Sequence, residues 1–320
     1  MGGRVIRRKI ISNDTLQEVF KSYLLYKKAS GLSLKTLQSY TYHVNAFFKY
    51  YDASTPISNI KQEDIESWVN QQRTNNAKDT TIASYIRGIK SFFSWAKQMG
   101  YTDIVVNIYK AQPTPKETYS EEELQKLLKR PNIKDCSFAE FRNYVMVCVF
   151  LSTGCRAGTM RYIQCGDIDF DNNLINFRHI KCGRNTKSHS VHSVPLSSST
   201  KHLLNEFLKY RQGEKDEWLF CTENNGQLSE RGLQDAIKDY NLSRGVTRTS
   251  THAFRHTFAK KYLLDCGGNA FTLQKLLGHS TLDMTLQYCT IFNADLQKNF
   301  DSFNPLEFLM KKHSRPIRIK

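Results

Sequence analysis

No run of 18 apolar residues occurs anywhere in this 320-residue chain, which excludes a conventional membrane-spanning helix. There is no Cys-x-x-Cys pair either. The eight cysteines, at positions 136, 148, 155, 165, 182, 221, 266 and 289, are scattered from position 136 onward. Zinc sites and disulfide frameworks show closer, repeated spacing, so all eight are expected to be free thiols. The basic opening "MGGRVIRRKI" is not followed by an apolar h-region, and Ile6 stands where a myristoylation motif has Ser or Thr. Together these absences lead to the expectation of an intracellular, cytoplasmic protein with no membrane partner.

Acidic side chains are also scarce relative to basic ones: 30 Asp and Glu face 46 Lys and Arg, a formal charge of +16. Such an excess points to a polyanion, with nucleic acid favoured over an anionic membrane surface. Residues 1 to 115 hold 16 basic and 8 acidic side chains and the remainder holds 30 and 22, so both parts could touch the polyanion. The 40% hydrophobic and 12% aromatic fractions are those of a folded chain rather than a disordered one. Its length is enough for two cores.

The first hundred residues carry helical periodicity. Leu16, Val19, Phe20, Tyr23 and Leu24 follow the i, i+3, i+4, i+7, i+8 pattern, with Asn13 and Asp14 as expected capping residues. A second run, with Ser33 as N-cap, places Leu37, Tyr40, Val44, Phe47 and Phe48 on one face; a third contains Ile65, Trp68 and Val69. The fourth aligns Ile82, Tyr85, Ile86, Ile89, Phe93 and Ala96 and meets a C-cap signal at Gly100. Four amphipathic helices with short joins predict a small bundle. Arg87, Lys90 and Lys97 project from the other side of the fourth helix, either as a solvated face or as phosphate contacts. With Lys35 and Thr36 at the start of the second helix, they are the candidate DNA-binding residues.

"AQPTPKETYS" interrupts the periodicity with Pro113 and Pro115, after which Ser120 and Glu123 form a capping box. The expected organisation is therefore a helical domain over 1–111, a linker over 112–118, a second domain over 119–302 and a tail over 303–320. The second domain opens with a helix around Phe141 to Leu151. "DIDFDNNLINFRHIK" and "SVHSVPL" then alternate like strands of a small antiparallel sheet, and helical patterns resume from Thr200. The fold class is mainly α: a helical bundle joined to a mixed α/β domain with a small antiparallel sheet.

Three places gather cationic or titratable groups beside glycine or at helix starts. In "LSTGCRAGTM", Arg156 follows Gly154 at the end of an apolar helix. In "THAFRHTFA", His252 and Arg255 stand three apart, on one helix face. In "LGHSTLDMTLQY", Ser280 and Asp283 read as a capping box, with His279 just before a short helix and Tyr288 near its far end. Each has an ordinary alternative, since an Arg after Gly is usually a surface residue and a Tyr at helical spacing is more often core than catalyst. His252 and His256 share the i, i+4 spacing of zinc ligands, but position 253 is Ala and no third ligand is suggested; no metal or other cofactor is expected.

Taken together, Arg156, then His252-x-x-Arg255, then "LGHS" with Tyr288 nine residues beyond His279, resemble the tyrosine recombinase (phage integrase) family in its Xer-like two-domain layout. The resemblance spans nearly the whole chain. It implies a core-DNA-binding domain followed by a catalytic domain, and a site-specific recombinase that cleaves and rejoins DNA through a 3′-phosphotyrosine and a Holliday junction. Tyr288 would be the nucleophile, Arg156 and Arg255 the phosphate clamp, His252 the base and His279 a phosphate ligand. A lysine on a strand turn before "VPL" would protonate the leaving 5′-oxygen; Lys187 is the best match and Lys181 the second. Such exchange conserves bond energy covalently and calls for no metal or ATP. Thr159 departs from the acidic residue that the family commonly carries three positions after its first arginine. The resemblance also implies a tetramer on two double-stranded core sites, with the tail docked on a neighbouring protomer and directionality or host factors as accessories. Two rival readings are a type IB topoisomerase and an inactive DNA-binding regulator.

Overall fold

Thr15 starts the first helix: its hydroxyl accepts from the Glu18 amide while the Glu18 carboxylate accepts from the Thr15 amide. This reciprocal pair makes Thr15, rather than Asn13 or Asp14, the N-cap, because only Thr15 has a carboxylate at the third helical position to answer it. The computed structural model describes residues 13–107, 116–178, 191–288 and 306, and the chain divides into two compact units between Thr114 and Pro115.

The first unit contains α1 (Leu16–Ala29), α2 (Leu34–Phe48), α3 (Gln62–Thr74) and α4 (Asp79–Gln98). Ser33 caps α2 as expected. Their apolar stripes meet in a core of rings, in which Phe20, Tyr23, Phe47, Trp68, Phe92 and Phe93 are all buried; Phe20 stacks on Tyr23, while edge-on pairs include Phe20–Phe92 at 5.3 Å and Phe47–Trp68 at 5.8 Å. Gly88 lets α2 and α4 approach, because a Cβ there would lie 2.6 Å from the His43 Cβ. At the end of α4, Gly100 takes φ +84° and the Tyr101 amide reaches back to the Ala96 carbonyl at 2.9 Å, the left-handed stop that glycine permits.

The second unit is built around α6 (Phe138–Thr153), whose sequence FAEFRNYVMVCVFLST is apolar on nearly every side. A helix of that kind belongs in an interior. It is covered by α8 (Ser198–Arg211), α9 (Glu230–Ser243) and α10 (Thr251–Leu264). α5 (Glu121–Leu127) carries the Ser120–Glu123 capping box. A three-stranded antiparallel sheet orders β1 (Ile168–Asp169), β2 (Leu174–Phe177) and β3 (His192–Pro195) in sequence order. Ile175 lies opposite both Ile168 and Val194, so its buried side chain anchors the inward face. Three short helices complete the unit: α7 (Ala157–Met160), α11 (Ala270–Leu277) and α12 (Asp283–Leu286). The architecture is the expected mainly α one with a small antiparallel sheet.

Before α12 the Ser280–Asp283 capping box does not form. Leu282 is the N-cap, in αR conformation and without a side-chain cap, and the Ser280 hydroxyl instead faces the Met284 sulfur at 3.6 Å. α12 starts at Asp283, two residues later than that box requires, so Ser280 does not occupy the N-cap position. Tyr288 lies in the turn just beyond α12.

Candidate active site

Two glycines build the site. Gly154 ends α6 in the left-handed region at φ +61° and Gly278 ends α11 likewise at φ +60°. At Gly154 a Cβ would come within 2.4 Å of the Phe258 ring and 2.7 Å of Leu277, so both the backbone angle and the close approach require glycine. These stops leave carbonyls without helical partners. Arg255, 5% exposed, donates from Nη1 to the Gly154 carbonyl at 2.8 Å and from Nη2 to the Leu277 carbonyl at 2.9 Å. The negative ends of two helices thus hold the guanidinium without a carboxylate.

α10 presents that arginine because its faces separate. Phe254 stacks on Tyr119 at 4.2 Å and on Phe150 at 5.8 Å, while Thr257 accepts from the Tyr119 amide at 2.8 Å. His252, Arg255 and His256, at i, i+3 and i+4, share another side of the helix. Arg156, the N-cap of α7, is two residues beyond Gly154 and close enough to Arg255 for its charge to help depress that arginine. Burial, then Arg156, bring Arg255 down to about 10, still cationic at neutral pH.

His279 continues the chain of contacts. Arg255 Nη2 donates to its Nε2 at 2.6 Å, and its Nδ1 lies 2.8 Å from the Thr285 hydroxyl. Because guanidinium can only donate, Nε2 is unprotonated and Nδ1 carries the hydrogen. Burial, then Arg255 and Arg156, push His279 down to about 4, in agreement with a neutral ring. The same order of causes lowers His252.

The Tyr288 ring is parallel to the His279 ring at 6.2 Å and tilted against His256 at 5.4 Å. It also packs on the small apolar cluster of Ala259, Leu273 and Leu277. Its hydroxyl lies 3.1 Å from His256 Nδ1. His256 received only a discounted zinc reading from the sequence; its i, i+4 relation to His252 was visible, but not its meeting with a residue 32 positions later. Thr285, fully buried behind His279, also has no sequence signal beyond its place in α12.

Most described arginines of this unit are ion-paired, and Arg142 and Arg161 are held by neutral groups. Arg130, Arg178, Arg211, Arg231, Arg244 and Arg248 each face a carboxylate. Among the described residues no carboxylate pairs with Arg156 or Arg255. Arg255 thus lies next to both Arg156 and Tyr288, and guanidiniums without a carboxylate partner have the chemistry to bind a phosphate-like anion. The buried Thr159 leaves α7 without an acid at that position.

The structure therefore brings Arg156, His252, Arg255, His279 and Tyr288 into one neighbourhood. Lys181, Lys187 and most of the tail fall outside the described residues. In the first unit, Lys35 and Thr36 lie in the exposed first turn of α2, the Thr36 hydroxyl 2.9 Å from Ser33 Oγ. Arg87 is exposed but donates back to the Ala83 carbonyl and Ser84 hydroxyl of α4; Lys90 is half-buried. Lys97 donates to the Asp103 carbonyl at 2.9 Å. Among the described residues, no group of three or more His, Cys, Asp or Glu side chains could hold a metal, and no helix is long and apolar enough to cross a membrane.

Residues 117–294 match the Phage integrase family, and residues 18–100 match the phage integrase N-terminal SAM-like domain. The chain is 25% identical over 290 residues to the tyrosine recombinase XerD of Oceanobacillus iheyensis, covering 86% of this chain and 94% of that one. Its fold is similar to that of the Tn1549 transposon integrase in complex with transposon right end DNA, with TM-score 0.71, 20% identity and coverage of 91% and 99%. It is likewise similar to a lambda integrase tetramer bound to a Holliday junction, with TM-score 0.68, 16% identity and coverage of 87% and 78%.

Proposed function

The chain belongs to the phage integrase family, and from that premise we propose a site-specific DNA recombinase in which Tyr288 breaks and remakes DNA strands. The observation that supports this reading is Arg255, without a carboxylate partner among the described residues, next to both Tyr288 and Arg156. A phosphodiester seated between the two arginines is neutralised and oriented for in-line attack, and the same donors stabilise the charge that spreads over its non-bridging oxygens.

In the forward step the Tyr288 oxygen bonds to phosphorus, the bond to the 5′-oxygen breaks, and the tyrosine proton departs to a neighbouring base. His252, on the same side of α10 as Arg255, is the candidate for that base. The leaving oxygen takes a proton from a lysine, Lys187 or Lys181. The 3′-phosphotyrosine keeps the energy of the original diester, so a 5′-hydroxyl from another strand reverses the reaction onto a new partner. His279 serves the phosphate once the anion competes for Arg255, and the Thr285 hydroxyl, able to donate or accept, permits the tautomer that exposes an Nε2 hydrogen.

The four-helix unit holds double-stranded DNA as a core-binding domain, and the second unit is catalytic. The lambda integrase neighbour, a tetramer on a Holliday junction, supports four protomers acting on two sites, with residues 303–320 exchanged between them. On this reading the protein is cytoplasmic and DNA-associated.

The test incubates wild-type protein and Tyr288→Phe with nicked suicide substrates drawn from sequence flanking its gene. The expected result is a denaturation-resistant protein–DNA adduct with wild type and none with Tyr288→Phe, at equal DNA binding. Specific binding without any wild-type adduct would overturn the reading in favour of a DNA-binding regulator.

A further inference from the structure

Tyr288 needs an acceptor for its hydroxyl hydrogen; Arg255, which also contacts Tyr288, can only donate, whereas His256 Nδ1, 3.1 Å from the oxygen, can accept. His252 occupies the exposed side of α10, one turn earlier, where its neighbours are Arg255 and Arg156. The two histidines of "HAFRH" are therefore separated by geometry into one that faces the arginines and one that faces the nucleophile.

Resting on the recombinase reading above, we propose that His256 is a positioning residue for Tyr288: its Nδ1 accepts the hydroxyl hydrogen bond and holds the oxygen toward the phosphate bound by Arg156 and Arg255. Acceptance requires a neutral ring, because an imidazolium has only donors. The surroundings provide that condition. Burial, then Lys116, His252 and Arg255, hold His256 down to about 4, and no carboxylate among the described residues pairs with it. Tyr288 completes the set of titratable groups around this ring.

The contact is also placed to orient rather than merely fill space. The Tyr288 ring lies between the His279 ring, parallel within 5°, and the His256 ring, tilted by 46°. Parallel stacking on His279 fixes the plane of the phenol but leaves its O–H free to rotate about the C–O bond. A hydrogen bond to His256 Nδ1 removes that rotation and turns an oxygen lone pair away from His256, toward the open side. Misplacement of a reacting atom by an ångström costs on the order of 100-fold in rate, so losing this acceptor has a kinetic consequence without loss of fold.

The experiment separates acceptor from packing. His256→Asn keeps an acceptor near the Nδ1 position without the ring; His256→Phe keeps the ring without the acceptor, and His256→Leu is a second acceptor-free variant should the Phe protein not fold. Single-turnover adduct formation on the nicked substrate is measured beside DNA binding and thermal unfolding. Expected are rates within about 5-fold of wild type for Asn and about 10- to 100-fold below it for Phe or Leu, with DNA binding retained in all. Wild-type rates in the acceptor-free variants, equal losses in all variants, or a loss confined to Asn would each overturn the proposal. Wild type and Tyr288→Phe on the same substrate keep the two readings apart. If wild type forms no adduct, the recombinase reading fails and the proposal with it, whereas a normal wild-type adduct with variants that do not follow this order defeats the His256 assignment alone.

Discussion

The two units solve the problem of an interior in opposite ways. In the four-helix unit the described core is rings and aliphatic side chains, and in the second unit the core also takes in Arg142, Asp167, Arg211, Asn241 and Arg255. Burying a charge is costly unless hydrogen bonds replace its water. Arg142 is so compensated, donating to the Cys221 carbonyl at 2.7 Å and to the Asn143 side chain. Arg255 is compensated for position by two helix-end carbonyls but keeps its net charge for a ligand. The difference teaches that in this molecule buried polarity marks where geometry must be exact to fractions of an ångström, whereas ring packing suffices where only a scaffold is needed.

Substitutions break that contrast in order of size. Arg255→Lys should have the largest effect after loss of Tyr288: an ammonium cannot bridge the Gly154 and Leu277 carbonyls and His279 at once. Adduct formation in single turnover should fall about 100- to 1,000-fold, and urea unfolding should show a loss of about 1–3 kcal/mol from the orphaned carbonyls. Gly88→Ala tests the other interior. Its methyl meets the His43 Cβ, and overpacking of this kind costs about 1–3 kcal/mol, seen in the unfolding midpoint; at saturating DNA the cleavage rate should stay at the wild-type value.

A pH titration sharpens the comparison further. His256 and His279 are both held down to about 4, mainly by burial, against an ordinary value near about 6.5. Between those values the unfolded chain binds protons that the folded site refuses, so stability falls as pH is lowered from about 6.5 toward 4. Thermal unfolding of wild type should show that slope, and a His256→Asn, His279→Asn double variant should flatten it. His43 of the first unit, lowered by burial and then Arg87, and His252, lowered by burial and then Arg255 and Arg156, contribute in the same direction and should persist in the double variant as the residual slope. The smallest effect belongs to Arg87→Ala. If Arg87 contacts a phosphate, the dependence of log binding constant on log salt should shallow by about one, with adduct formation at saturation unaltered.

Legibility followed the range of the interactions. The caps at Ser33 and Ser120, the stop at Gly100 and the apolar stripes of α1 to α4 are decided within one or two turns, and a reader of the chain can see them. Asn13 and Asp14 lost the first cap to Thr15 because the carboxylate of Glu18 answers from three residues on. The Ser280–Asp283 box failed because the helix begins at Asp283 itself rather than two residues before it. Arg156, His252, Arg255, His279 and Tyr288 could be singled out by their order and spacing, yet their order does not say which histidine meets the tyrosine.

The chain by itself determined the two-unit organisation, the helical bundle, the small antiparallel sheet, the positive charge and the set of groups able to handle a phosphodiester, because periodicity, capping and composition act locally or additively. Only the tertiary structure decided that two glycine-ended helices would aim their carbonyls at one arginine, that no carboxylate among the described residues would pair with that arginine, and that His256 would face Tyr288. Those outcomes depend on α6 meeting α10 across 101 positions and on α10 meeting the turn after α12 across 32, and no periodicity within a segment encodes the distance between side chains that meet only when the core has packed.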